Sequence, residues 1–382
     1  MSVIYGGSSI TFDDGSTIGS GWTGFKNRII NGNFQIDQRN RGAANTTSNF
    51  VLDRWLTVYG GAGTISTQRS TDAPAGYANS MLMTVATNDS SLASSDRYMI
   101  QQAIEGYNVA DFNLGTINAA TFTLSFWVKS SVTGTYSIAI TNGLNAVTLR
   151  AYSAEYTISQ ANTWEKKTIT VAGDTSSVGL SDWSRTNATG LNIRFGLALG
   201  SSHYQSTGTW QSNNVSGSPN QVNWMATNGN TFQLAGVQLE KGSNASSFEF
   251  RPYTTELQLC YRYYWSAITE NVSSTNNYRA AVVTGLANGK FEAHMNLPVT
   301  MRTTPALYTA NILANANAQL NWVGPGSTTL ATSDGIVYHS DTTAGIYGNH
   351  TSAFASAAGA VNFQLSPAGW AAGVRFAFDA EL

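Results

Sequence analysis

The sequence predicts an all-β chain of two or more domains, and three observations carry that prediction. Apolar residues alternate with polar ones at period 2 through most of the chain, as in Phe122, Leu124, Phe126 and Val128. Turn signals of the Asn-Gly type punctuate the alternating runs at 142–143, 228–229 and 288–289. Helical spacing is confined to one short stretch near Leu257 to Tyr264. At 382 residues the chain is long enough for each domain to bury its own core. Its 42% hydrophobic and 11% aromatic content with a net charge of −2 excludes a disordered chain. Only 11% of residues are charged, so solubility comes from Ser, Thr, Asn and Gly.

Residues 1–26 are rich in Gly and Ser, with Ile10 and Phe12 flanking Thr11 and a turn signal at Asp14-Gly15. They read as an attachment or oligomerisation segment that cannot fold alone and forms a strand against a neighbouring subunit or the surface it docks on. Residues 27–253 read as a jelly-roll-like β-sandwich. Phe122–Val128 alternate with Thr121, Thr123, Ser125, Trp127 and Lys129. Tyr136, Ile138 and Ile140 run into Asn142-Gly143, and Val147 and Leu149 return, a hairpin with a two-residue turn. Ile193 to Leu199 and Phe232 with Leu234 are further strands, and 200–223 reads as one long loop of the length that is usually functional. In Gly236–Tyr264, Val237 and Leu239 mark a half-buried strand, and Phe248, Phe250, Pro252 and Tyr253 cross an apolar edge. Thr254 or Thr255 caps a helix with Leu257, Cys260, Tyr261 and Tyr264 on one face. The connecting helix is placed at 254–266 and a second β-rich sandwich or tip domain at 267–382. There Tyr278–Ala287 and Phe291–Leu297 form a hairpin, and Val374 to Ala380 ends the chain as a paired strand.

Several function classes are excluded. The 20 Lys and Arg against 22 Asp and Glu leave little to build a phosphate-neutralising face, so no nucleic-acid partner is expected. No apolar run of about eighteen residues occurs, so no helical membrane insertion is expected, and the N-terminus lacks a secretory signal pattern. The single Cys260 excludes intrachain disulfides and reads as a small buried hydrophobe. His203, His294, His339 and His350 lie far apart without zinc spacing, and no nucleophile elbow or phosphate loop occurs. The neighbouring Asp13 and Asp14 read as turn formers, so no catalytic residue is assigned and the chain reads as non-enzymatic.

Sugar binding is the expected chemistry, because carbohydrate sites stack aromatic faces on sugar rings beside side chains that bind hydroxyls. The candidate contacts are Trp183, Tyr204, Trp210 and Trp224 with Asp182 and Arg185, and with Asn213 and Asn214 nearby. Each can equally pack against the sandwich, while Trp55, Trp127 and Trp164 read as scaffold.

Four blocks stand in a fixed order: RIINGNFQIDQRNRG at 28–42 with FVLDRW at 50–55, then GVQLEKGSNASSFEFRPYTTELQLCYRYY at 236–264, VTMRTTPAL at 299–307 and FDAEL at the C-terminus. Together they resemble bacteriophage tail fibre and virion fibre proteins with a carbohydrate-binding-module-like sandwich. The resemblance implies that the first two blocks open and close that sandwich and that the MRTTP strand belongs to the tip. It further implies a homotrimer, contact with other virion proteins through 1–26, a host surface glycan or protein as partner, and location on the virion, tail rather than capsid. A chain of adhesin character without an export signal fits a virion component released by lysis. Two rivals are a decoration or spacer protein without ligand and a glycan-cleaving tailspike. Related modules hold a structural calcium near an Asp-rich strand, but Ala235 and Gly236 stand at those positions here, so neither metal nor cofactor is expected. Glu240 remains, within expected reach of the backbone near Asn31 or Asn33.

Overall fold

The structure, a computed structural model, describes residues 25–143, 148–176, 182–266, 297–305 and 379–382 in full. It describes 4–6, 9–11, 17–19, 278–286, 290–296, 306–308, 320–323, 335–338, 343–349, 361–365 and 377–379 as backbone strands. The chain divides into two compact units, Met1–Glu256 with Leu382, and Leu257–Glu381.

The first unit opens with β1 (Ile4–Gly6), β2 (Ser9–Thr11) and β3 (Thr17–Gly19), which pair antiparallel with one another. Strands β1 and β3 form the edges of this small sheet; the Asp13–Gly15 turn and Phe12 lie outside the described residues. The sandwich follows: β4 (Phe50–Leu52), β5 (Trp55–Gly60), β6 (Thr64–Ser70), β7 (Ser80–Thr87), β8 (Arg97–Glu105) and β9 (Phe122–Ser130). It continues with β10 (Gly134–Thr141), β11 (Ala151–Ile158), β12 (Glu165–Val171), β13 (Thr189–Leu199), β14 (Trp210–Gln211) and β15 (Thr231–Lys241). A seven-stranded sheet, β14-β11-β10-β13-β8-β5-β4, faces a five-stranded one, β12-β9-β15-β7-β6, and every strand pair in them is antiparallel. The all-β sandwich expected from the alternation is what forms, because period-2 apolar residues of both sheets fill one shared core. Phe126 of β9 meets Phe195 of β13 edge to face at 5.1 Å, and Trp55 packs on Phe34 at 5.1 Å. Each such pair adds about 0.5–1.5 kcal/mol beyond its area burial.

Four local expectations are corrected. The β10–β11 pair starts at Thr141↔Ala151, so a connection of 142–150 replaces the two-residue turn. Asn142 closes that wide loop with its side chain, accepting from Arg150 N at 2.9 Å and donating to Thr148 O at 2.8 Å; Val147 lies outside the described residues. Strand β15 is buried on both faces rather than one, Gln238 and Glu240 included. The following segment covers its polar side: Glu249 N donates to Gln238 Oε1 at 2.8 Å, and Ser246 Oγ to Glu240 Oε2 at 2.6 Å. The stretch 200–223 is structured, with a 3-10 turn at Ser201–His203, β14, and a bridge between Tyr204 and Gly217. It lies as a strap across the outer face of the seven-stranded sheet. Ser153 Oγ donates to Gly217 O at 2.9 Å, Ser218 N to Ser137 Oγ at 3.1 Å, and Arg194 Nη1 to Val215 O at 2.9 Å. Helix α1 runs Tyr253–Tyr261, which puts Thr254 and Thr255 inside its first turn instead of at the cap. Pro252 stands just before it, where a missing N–H costs nothing. Cys260 is buried as expected, while Tyr264 belongs to the next strand.

The second unit contains β16 (Tyr264–Ser266), β17 (Tyr278–Leu286), β18 (Lys290–Asn296), β19 (Ala306–Tyr308), β20 (Leu320–Val323) and β21 (Gly335–Tyr338). It ends with β22 (Thr343–Asn349), β23 (Val361–Leu365) and β24 (Ala377–Asp379). The expected hairpin is β17–β18, closing at Leu286↔Lys290 around Asn288-Gly289, a turn outside the described residues. Strand β24 pairs with both β16 and β19, so the chain ends as a paired strand; Val374 and Phe376 lie outside the described residues. Arg302 of the MRTTP block ties this end down, its Nε and Nη2 each donating at 2.7 Å, to Ala380 O and Glu381 O. His294, His339 and His350 and most of the Ala- and Gly-rich middle have no described side chains.

Gly32 shows how close the packing is at the start of the sandwich. Val237 N donates to Gly32 O at 2.9 Å, and a Cβ on Gly32 would lie 2.1 Å from the Val237 carbonyl oxygen. Gly32→Ala is therefore expected to lower unfolding stability by about 2–4 kcal/mol, whereas Gly60→Ala, with open space around it, changes it by less than about 0.5 kcal/mol. Chemical denaturation of the two variants beside wild type measures both.

Candidate functional site

The structure separates the six predicted glycan contacts. Trp224 is 0% exposed, packs edge-on against Phe232 and donates its indole N–H to Thr231 O at 3.1 Å. Trp183 is 3% exposed and lies edge-on under Trp210 at 5.5 Å. Asp182 is 2% exposed and accepts from Thr148 N at 2.7 Å, holding the 142–150 connection. These three are corrections: a ring sealed in the core has no face for a sugar, and a buried carboxylate already bound to backbone has no role at the surface. Trp210, Tyr204 and Arg185 are half-buried. Trp210 stands on β14 against Tyr152 at 5.5 Å and donates to Ala172 O at 2.7 Å. The structure thus brings Trp183, Trp210 and Asp182 to one end of the sandwich as packing, and places Trp224 in a different part of the core with Phe232 and Tyr136. Asn214 supports the strap, accepting from Arg194 Nη1 at 2.6 Å.

An aromatic surface that the loop reading missed lies on the outer face of the five-stranded sheet. Register places Trp127 of β9 between Lys166 of β12 and Ala235 of β15. Residues two apart share a face, so Lys129 stands on the same side, opposite Gln233. Lys129 Nζ lies 5.7 Å from the centre of the Trp164 ring and 2.5 Å from Asp72 Oδ2. Trp164 donates to the other oxygen of Asp72 at 3.4 Å. The Lys129 hydrogen bond, with that of Trp164, holds the Asp72 carboxyl below its ordinary value, so it stays ionised. On the other side of Trp127, the Tyr77 ring rests on Gly236, where φ is +56° and a Cβ would lie 2.6 Å from the ring. Tyr77 hydrogen-bonds Trp127 and packs on Phe248 at 5.3 Å and Phe250 at 5.2 Å. Trp127, Trp164, Tyr77 and Phe248 are half-buried, and Phe250 is 54% exposed. Trp127 and Trp164, expected to be scaffold, thus present surface, while Trp55 is core. The signal was present in the sequence: a Trp and a Lys occupy the outward slots of an otherwise Thr/Ser face.

The NGNF, DRW and RPY blocks form a buried polar knot instead of a ligand site. Asn31, at φ +57°, uses its side chain to accept from Ile36 N at 3.0 Å and to donate to Ile36 O and Asp53 O at 2.8 and 3.0 Å. Its carbonyl accepts the Trp55 indole N–H at 3.0 Å, and its own N–H donates to Glu256. Glu240, expected near Asn31 or Asn33, binds Ser246 and Gln238 because those groups lie beside it on the covered face of β15. The Asn31 backbone it was expected to reach is served by Glu256, while Glu249 accepts from Asn27 N at 3.0 Å. Among the described residues no group of three or more His, Cys, Asp or Glu is arranged to hold a metal.

No protein-family model matches the sequence, and comparison with curated proteins finds no match. Among solved structures the chain is similar to the enzymatically active domain of tailspike protein 4 of bacteriophage CBA120. There the identity is 16% and the TM-score 0.31, over 56% of this chain and 21% of that one. It is also similar to a family 11 carbohydrate-binding module from Clostridium thermocellum in complex with a mixed-linked tetrasaccharide. In that case the identity is 14% and the TM-score 0.28, over 53% of this chain and 98% of that one. With TmCBM61 in complex with β-1,4-galactotriose the identity is 12% and the TM-score 0.27, over 57% of this chain and 100% of that one.

The knot holds one strongly perturbed acid. Asp53 is 1% exposed, and burial pushes its carboxyl up to about 6, against the pull of Arg39 and of the hydrogen bonds from Gln38. A carboxyl whose folded value exceeds its unfolded value of 3.8 favours folding more strongly as pH falls from about 7 towards 4. Asp53→Asn cannot take up that proton, so its stability relative to wild type should improve as pH rises across this window, by on the order of 2 kcal/mol. Urea unfolding of both proteins at pH 4.5 and pH 7 measures the difference.

Proposed function

We propose that this chain is a non-enzymatic virion fibre protein that adheres to glycan on the surface of a bacterial host. The observation that carries this reading is the outer face of the five-stranded sheet. Partly exposed rings at Trp164, Trp127 and Tyr77 span neighbouring elements there, with Asp72, Lys129 and Lys166 between them. Sugar rings carry apolar C–H faces edged by hydroxyls, and this surface alternates flat rings with charged hydrogen-bonding groups in the same way. The strap over the seven-stranded sheet leaves the opposite outer face filled at β10, β11 and β13. The order of the four sequence blocks supports the fibre assignment and a place on the tail.

The non-enzymatic reading is supported by the position of Asp53, whose raised value arises from burial in the knot, away from any surface that could meet a substrate. In the fibre reading, β1–β3 contact other virion proteins, the sandwich carries adhesion, and the tip unit completes a homotrimer.

Trp127→Ala and Trp164→Ala should each weaken binding of the purified protein to host surface glycan by about three- to tenfold, with little change in the circular dichroism spectrum. Unchanged affinity in both variants would remove this face from the adhesion role. Light scattering of the full chain is expected to give three times the chain mass, and a monomer would overturn the trimer.

A further inference from the structure

We infer that the outer face of the five-stranded sheet selects glycans that carry carboxylates, with Lys166 as the group that reads the charge. This rests on the glycan reading above and deepens it. The register makes Lys166 the direct cross-strand partner of Trp127, so their Cβ atoms lie about 4.5–5.5 Å apart on the same face. A sugar ring stacked on Trp127 places its substituents within reach of the Lys166 ammonium, on a flexible four-carbon stem.

The other charges of this face are paired or covered. Lys129 and Asp72 neutralise each other at 2.5 Å, and Glu240, opposite Thr123 on the same face, is buried and accepts from Gln238 and Ser246. The remaining outward neighbours of Trp127 in this register, Thr168, Ser125 and Gln233, are neutral. Lys166 is exposed and makes no ion pair among the described residues, so the positive charge that stands in water beside the central ring is free to meet a ligand. A neutral saccharide would use the rings and leave that charge idle. A uronic acid residue would use both, its C–H face on Trp127 and its carboxylate at Lys166, in a contact that salt screens.

The test compares oligogalacturonate with its carboxyl-reduced, neutral form by isothermal titration against the full chain. The wild type should bind the acidic form about fivefold or more tighter, a ratio that shrinks as salt rises from 50 mM to 500 mM, on the order expected as the Debye length shortens. Lys166→Gln, an exposed change that leaves the fold intact by circular dichroism, should erase the ratio by weakening binding of the acidic form. Equal binding of the two forms by wild type, or an acidic preference that survives in the variant, overturns the charge selection and leaves glycan binding standing. Binding of neither form overturns the inference, and if host surface glycan also fails to bind, the glycan reading falls with it.

Discussion

The sandwich depends on one buried guanidinium. Arg251 donates through Nη1 to Ile29 O at 3.1 Å and to Glu256 Oε2 at 3.2 Å, and through Nη2 to Asn27 O, while Glu249 lies 3.3 Å away. It joins segments more than two hundred positions apart, and Glu256 passes the link on to Asn31, whose carbonyl holds Trp55. In a low-dielectric interior such a charge is tolerated only with its partners in place, and removing one typically costs about 3–5 kcal/mol. The same contacts therefore specify which two ends of the chain meet. Asn27 completes the closure, its Oδ1 accepting Leu239 N of β15 at 3.0 Å.

That closure reaches the surface. The segment that brings Arg251 into the knot also carries Phe248 and Phe250, and it is pinned to β15 through Glu249 and Gln238. Tyr77 is held between those rings and the glycine of the β15 bulge, which seats it beside Trp127. The aromatic surface is thus preorganised by core contacts, and a ligand stacking there orders few side chains of its own. The two sheets differ in how their outer faces are used. Small and polar residues on the seven-stranded sheet, Ser137 and Ser153 among them, let the strap backbone approach and bond directly. On the five-stranded sheet the segment 246–250 covers only the Gln238 and Glu240 end of the face, and Trp127 stays partly exposed.

Much of the fold was legible because burial of one face imposes a period that survives in any context. Phe122, Leu124, Phe126 and Val128 had to point one way, and they fill the core with Phe195. Loop closure was less legible: Asn142-Gly143 has the composition of a tight turn, yet the Asn142 side chain bonds across a wider connection, a choice set by Asp182 from a distant segment. Burial of the candidate aromatics was less legible for a related reason. Trp183, Trp210 and Trp224 stand in polar, Gly- and Ser-rich sequence that looks exposed, but Trp183 is buried against Trp210 and Trp224 against Phe232 in another part of the core. Trp127 was passed over because a strand residue next to core positions looks like scaffold, although its outward slot pointed to the surface.

By itself the sequence determined the all-β class, the absence of intrachain disulfides and the strands that alternate, since each follows from local periodicity, composition or residue count. Tertiary structure alone decided which aromatic rings face water, which carboxylates are sealed in the knot, and which exposed lysine stands beside Trp127. Those outcomes depend on register between strands far apart in the chain and on which sheet face another segment covers, and neither quantity is written in any local stretch of residues.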